Sequence, residues 1–294
     1  MASIKKSIEI YMYYTIIGLL MHLLFVTNNY ILLYLFIIIK SLYFIDRITN
    51  IYNDNIDLRF DNRMLGSGTS ICLRIKDDFM YLFKYGASQL IIIQICSNDY
   101  ENNLLGIIYL MFKMFPFEVI FDFFHYGMHR LLHSKYLYKY HKYHHTIVHD
   151  LKPIDTYKSS IVETIVVTIL PMYMTNKIIT LTNLEMCIFV LHQEVVELWG
   201  HTKLYSSVCN PLYHWIPELL KIELYPCDHY VHHTHLKCNY SKRFILWDKL
   251  FGTYKKTLLR DKQDNYKTNK PTQIITTTRE EKQNIVTTDI TQES

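Results

Sequence analysis

The sequence predicts an all-α fold: an integral membrane helical bundle of about four to six helices paired in hairpins, with a cytosolic helical cap rich in histidine. Three observations predict it. Half of the 294 residues are hydrophobic, and they gather in six long runs although the mean hydropathy is only +0.02. All but three of the 31 Lys and Arg lie outside those runs. All but one of the 15 histidines fall between His125 and His235.

The runs are Ile8–Val26, Tyr30–Ile45, Phe79–Cys96, Leu104–Phe124, Ile161–Tyr173 and Ile178–Trp199. A bilayer core needs roughly 20 apolar residues of helix. Glu9, Lys40, Lys84, Lys113, Glu163 and Glu185 interrupt the runs, and Ile161–Tyr173 is too short to cross unaided. The alternative is a set of buried core helices in a large soluble protein. Charge placement favours the membrane. The links Thr27–Asn29 and Ser97–Asn103 hold no Lys or Arg, whereas the segments 1–7, 47–78, 125–160 and 200–294 hold nearly all of them. That is the positive-inside pattern, with the N-terminus, long loops and tail on the cytosolic side. The hairpin 161–199 then separates two His-rich stretches and returns the chain to the side it left.

The division expected is 1–103 for N-terminal membrane helices and a cytosolic loop, 104–254 for a catalytic domain, and 255–294 for a tail. The tail is Thr-, Lys- and Gln-rich and reads as disordered. No cleavable signal peptide is suggested. Six cysteines without a C-x-x-C pair argue against a zinc ribbon or thioredoxin-like motif and fit a reducing compartment. A net charge of +4 excludes a strongly basic nucleic-acid binder. Asn239-Tyr240-Ser241 fits a glycosylation acceptor, expected to be silent on the cytosolic side.

Three histidine spacings carry chemistry. His129-Arg-Leu-Leu-His133 is H-x-x-x-H, His141-Lys-Tyr-His144-His145 is H-x-x-H-H, and His229-Tyr-Val-His232-His233 repeats the second pattern. On a helix, positions i, i+3 and i+4 share a face, so each box is expected to aim its imidazoles at a common point. Neutral imidazoles bind iron, zinc, copper or nickel. Eight of them exceed one tetrahedral site and suit two metals. His201 follows the last run directly and is a further candidate ligand. His125, one turn before His129, is a candidate ligand or supporting residue. Asp122, Asp228 and Asp248 are candidates to accept the second ring N–H of a ligating histidine. Arg130 and Lys142 are candidates to face an electron donor or lipid head groups. His149, His192, His214 and His235 read as supporting, core or surface residues, and His22 as a helix-packing residue.

The stretch Asp122-Phe-Phe-His125-Tyr126-Gly-Met-His129-Arg130-Leu-Leu-His133, then Tyr138-Lys139-Tyr140-His141-Lys142-Tyr143-His144-His145, resembles the fatty acid hydroxylase/sterol desaturase superfamily of membrane di-iron oxygenases. It is most similar to the 4-methylsterol oxidase branch. Asn239-Tyr240 and Trp247-Asp248-Lys-Leu-Phe251-Gly252-Thr253 are similar to the family's C-terminal signature. The resemblance covers roughly 105–254. It implies that His129, His133, His141, His144, His145, His229, His232 and His233 ligate two Fe ions, with His201 where the family has another histidine. It implies O2 as co-substrate, electrons from cytochrome b5 or an NAD(P)H reductase, and a lipid taken from the bilayer. The expected reaction is hydroxylation or desaturation of a lipid C–H bond at the endoplasmic reticulum. A sterol is the first expectation (4-methylsterol oxidase or C5-desaturase type), and a fatty acyl, sphingolipid or alkane substrate the alternative. No residues beyond the metal ligands are expected to be catalytic. From other classes, a membrane metal transporter would hold ligands within the apolar runs, and a zinc hydrolase would need a carboxylate base beside the histidines.

Overall fold

The structure is a computed structural model that describes residues 2–54, 75–96, 104–146, 151–202, 204, 213 and 215–256, the side chains of 2–10, 53–54, 75–78 and 104–108 aside. The expectations for the 255–294 tail beyond Lys256, for the link Ser97–Asn103, and for His149 and His214 lie outside the described residues.

Helices carry the fold, and the β pairing among the described residues is an isolated bridge between Glu223 and Phe244. In chain order the helices are α1 (Ala2–Val26), α2 (Tyr30–Asp54), α3 (Ile75–Cys96), α4 (Leu104–Leu132), α5 (Tyr138–His141), α6 (Ile161–Thr164), α7 (Leu170–Ile178), α8 (Asn183–Gly200), α9 (Trp215–Leu219), α10 (Pro226–Thr234) and α11 (Leu246–Leu250). A π-helical stretch, Ile165–Ile169, joins α6 to α7.

Two corrections to the expected boundaries matter for the site. The fifth run is longer than Ile161–Tyr173: α6, the π stretch and α7 make one helical segment, Ile161–Ile178. The sixth helix begins at Asn183 rather than Ile178, because Thr182 and Glu185 form a reciprocal capping box there. Among the described residues, two segments, Phe79–Cys96 and Ile161–Ile178, are long and apolar enough to cross a membrane by length and composition.

α8 is the axis of the molecule. Apart from Val195 and Trp199 its residues are buried, and α1, α2, α3 and α4 pack around it. α1 crosses α8 closely at Gly18, where an added Cβ would lie 2.5 Å from Ile188 Cγ1 and 3.3 Å from the Ile188 backbone. The outer faces of α1 and α2 expose large apolar side chains such as Ile16, Leu23, Ile31 and Ile39.

Lys40, Lys113 and Glu185, which interrupt the runs, find partners of opposite charge, as a low-dielectric setting requires. Lys40 pairs with Glu194 between α2 and α8. Lys113 bonds both oxygens of Glu185, at 2.8 and 2.9 Å. Arg243 is fully buried between Glu118 and Glu197, over the ring of Phe121. Asn239 is buried at φ +53°, and its Nδ2 donates to the carbonyls of Asp228 and Lys255. The described cysteines Cys96, Cys187, Cys227 and Cys238 are buried thiols.

Candidate metal centre

α4 does not stop where its apolar run stops. It continues through His125 and His129 to Leu132, so three histidines follow one another a turn apart along its end. The second box is not one helix: His141 closes α5, and His144–Thr146 is a separate 3-10 turn. The third box lies on α10, which starts at Pro226 and is capped by Asp228. His201 is the residue that caps the C-terminus of α8.

These elements bring nine imidazoles together in two groups. His129, His133, His141, His145 and His232 form one, and His144, His201, His229 and His233 the other. Within each group the ligand atoms lie within 4.8 Å of one another. The expectation that each H-x-x-H-H box aims at a single point is corrected here. In the second box His141 and His145 join the first group and His144 the second. In the third box His229 and His233 join the second group and His232 the first. Each H-x-x-H-H box therefore serves both groups, whereas His129 and His133 of the first box both join the first group. The groups touch: the rings of His145 and His233 are 4.8 Å apart, and those of His141 and His144 5.5 Å.

Backbone carbonyls set the tautomers. The Nδ1–H of His129 donates to Tyr240 O (2.7 Å), that of His232 to Cys238 O (2.7 Å), that of His144 to Lys158 O (3.2 Å) and that of His201 to Glu197 O (3.1 Å). A carbonyl can only accept, so in each neutral ring the lone pair is on Nε2. Burial holds His129, His144, His229 and His233 well below the ordinary histidine range, helped by their neighbours' imidazoles. Burial brings His201 and His232 down to about 4 and His133 to about 3. The rings are therefore neutral at pH 7 and able to ligate.

The donor set fits a pair of ions. The Nε2 atoms face each other at 2.9 Å (His129 to His141, His145 to His141), 3.1 Å (His233 to His229) and 3.3 Å (His229 to His201). Ligands about 2.1 Å from a metal stand about 3.0 Å apart in octahedral and about 3.4 Å apart in tetrahedral geometry. The Nε2 atoms of His133 and His232 are buried and make no hydrogen bond. A buried polar atom left so costs stability unless something binds it. A cavity of about 60 Å³ adjoins both groups, lined by His129, His141, His144, His201 and His229 and also by Lys84, Tyr85 and Glu163. It has room for a few water-sized molecules.

The remaining candidates sit elsewhere. His125 belongs to neither group; its Nδ1–H donates to Val167 O (2.8 Å), and its ring lines the cavity. That carbonyl lies four residues before Pro171, which has no N–H to offer it. Asp122 accepts the backbone N–H groups of Lys242, Arg243 and Phe244 (2.7, 3.0 and 3.0 Å) rather than an imidazole. Asp228 caps α10 through Tyr225 N–H (3.0 Å). Asp248 accepts Tyr240 and Ser241 N–H, both at 2.8 Å, and so holds the peptide next to the Tyr240 carbonyl that orients His129. Arg130 donates to Tyr126 Oη (3.0 Å), and Lys142 is exposed. His192 pairs with Glu118 (2.6 Å) deep in the bundle, and His235 bonds Thr234.

Sequence reasoning missed the carboxylate that reaches an imidazole of the two groups. Glu163 Oε1 is 3.0 Å from His141 Nδ1, off the line of an ideal hydrogen bond, while its Oε2 accepts Ser160 N–H (3.3 Å) in the cap of α6. Its signal was visible as an acid interrupting an apolar run. The same holds for Lys84, whose ammonium reaches the cavity wall.

Residues 114–253 match the family described as Fatty acid hydroxylase. The chain is 28% identical over 151 residues to the very-long-chain aldehyde decarbonylase CER1 of Arabidopsis thaliana, covering 47% of this chain and 24% of that protein. It is 28% identical over 140 residues to the very-long-chain aldehyde decarbonylase GL1-6 of Oryza sativa subsp. indica, 46% of this chain and 22% of that one. It is 31% identical over 146 residues to the fatty acid hydroxylase vlmA of Lecanicillium sp, 47% of this chain and 40% of that one. The chain thus spans less than half the length of each of these relatives. No solved structure matches it. The matched stretch holds every histidine of both groups, and it is this stretch that is similar to the fatty acid hydroxylase/sterol desaturase superfamily.

Proposed function

We propose that the chain is a membrane-embedded, O2-dependent di-iron oxidoreductase that oxidises a C–H bond of a long-chain lipid. The observation that carries the proposal is the sorting of nine neutral imidazoles into two adjoining groups whose bare nitrogens converge. In this reading His129, His133, His141, His145 and His232 hold one ion, and His144, His201, His229 and His233 the other. Bound and reduced, such a pair supplies O2 activation, which no side chain can. The chain's own residues do the rest. Carbonyls of Tyr240, Cys238, Lys158 and Glu197 keep the Nε2 lone pairs aimed inward. Glu163 steadies His141, and the buried wall keeps bulk water from the reacting carbon.

The bundle lies in the bilayer with its histidine-bearing ends at the cytosolic face of the endoplasmic reticulum. The exposed apolar faces of α1 and α2 support this, together with the placement of Lys and Arg. The 1–103, 104–254 and 255–294 division belongs to the same proposal. Lipid reaches the cavity laterally from the membrane, and electrons come from cytochrome b5 or a reductase. The relatives' names concern very-long-chain aldehydes and fatty acids, which supports an acyl chain as substrate. The sterol reading, of 4-methylsterol oxidase or C5-desaturase type, rests on motif wording alone. Expression in a host lacking its own lipid hydroxylases, with mass-spectrometric profiling, tests both. An O2-dependent acyl product is expected, a sterol product would move the substrate, and no lipid change with a metal-loaded protein would sink the activity.

A further inference from the structure

The nine imidazoles lie within 114–253, yet one of them is oriented by a device built partly outside that stretch. His144 owes its orientation to the carbonyl of Lys158. Lys158 is the middle residue of an inverse γ-turn, at φ −77° and ψ 78°, closed by Ser159 N–H donating to Tyr157 O (2.9 Å). A turn this short is not rigid by itself. It is gripped on both sides by Lys84 of α3, whose ammonium donates to Tyr157 O (3.2 Å), to Ser159 O, and to Ser159 Oγ (3.0 Å). The carbonyls before and after Lys158 thus face α3, which leaves the Lys158 carbonyl for His144.

The Tyr157 side chain is held as firmly. Its ring lies 4.2 Å from that of Tyr85, and its hydroxyl donates to Glu194 Oε1 (2.8 Å). Glu194 is paired with Lys40 of α2, and Lys40 also donates to Gln89 (2.9 Å). Resting on the two-metal reading above, we infer that Lys84 is a positioning residue for the second ion: through the 157–159 turn it fixes His144, with Lys40, Glu194 and Tyr157 as its abutment. α2 and α3 are then part of the catalytic apparatus rather than anchors alone.

Cobalt(II) titration of the full-length protein in detergent, followed by visible absorption, tests this without any turnover. His133→Ala and His201→Ala identify which transition belongs to which group. Lys84→Met is expected to weaken cobalt at the His144 group at least about 10-fold and to leave the other group unchanged, with Lys84→Arg restoring most of the loss. Should Lys84→Met not fold, Tyr157→Phe, which removes only the hydroxyl held by Glu194, is expected to weaken the same ion selectively. Unchanged binding at both groups, or equal weakening of both, would overturn the positioning role. Wild-type protein that takes up no cobalt would instead overturn the metal reading beneath it.

Discussion

Glu163 divides its two oxygens between the cap of α6 and the ring of His141. Removing the second task should therefore show in metal affinity. Glu163→Gln is expected to lower affinity at the five-histidine group by about 10–100-fold, read by competitive metal titration, with the four-histidine group unaffected. Asp122 makes a contrasting case. Asp122→Ala leaves three backbone N–H groups of 242–244 without their acceptor. The cost is about 1–3 kcal/mol, seen as a lower unfolding temperature of the metal-free protein. Which histidines gather was legible before the structure, because a crowd of histidines at H-x-x-H-H spacing has few bland explanations. Their partners were not. Spacing cannot reveal that backbone carbonyls at 158, 197, 238 and 240 take the Nδ1 protons, since any residue type supplies a carbonyl.

At the scale of elements, the six runs of the sequence correspond to six helical segments, because runs of apolar residues must bury or face lipid. Their ends were less legible. α4 outlasts its apolar run, since its last turns pack histidines against the 238–244 segment instead of lipid. The second box reads as one helical face and folds as a short helix and a separate 3-10 turn, which is why its members part company. Helix contacts depend on small residues that a single sequence does not flag. Gly18 is such a case: Gly18→Ala has to push Ile188 and the α8 backbone aside. It is expected to destabilise by about 1–3 kcal/mol, measurable as a drop in the thermal transition. Gly127, which has nothing within 4 Å of an added Cβ, should tolerate alanine and serves as the control.

For the whole molecule, the helical bundle and the proposed metal centre form one unit. α8 carries Glu194, Glu197 and His201 along its length, so the bundle axis ends in the site. The protein should stay with membranes through carbonate extraction and be released by detergent, and release by carbonate would contradict the embedding. The most direct test of the central claim is the metal content of purified protein reconstituted with ferrous iron, by elemental analysis. The account predicts two ions per chain, falling to one in either His133→Ala or His201→Ala. A single ion in the wild type, or none, would contradict it.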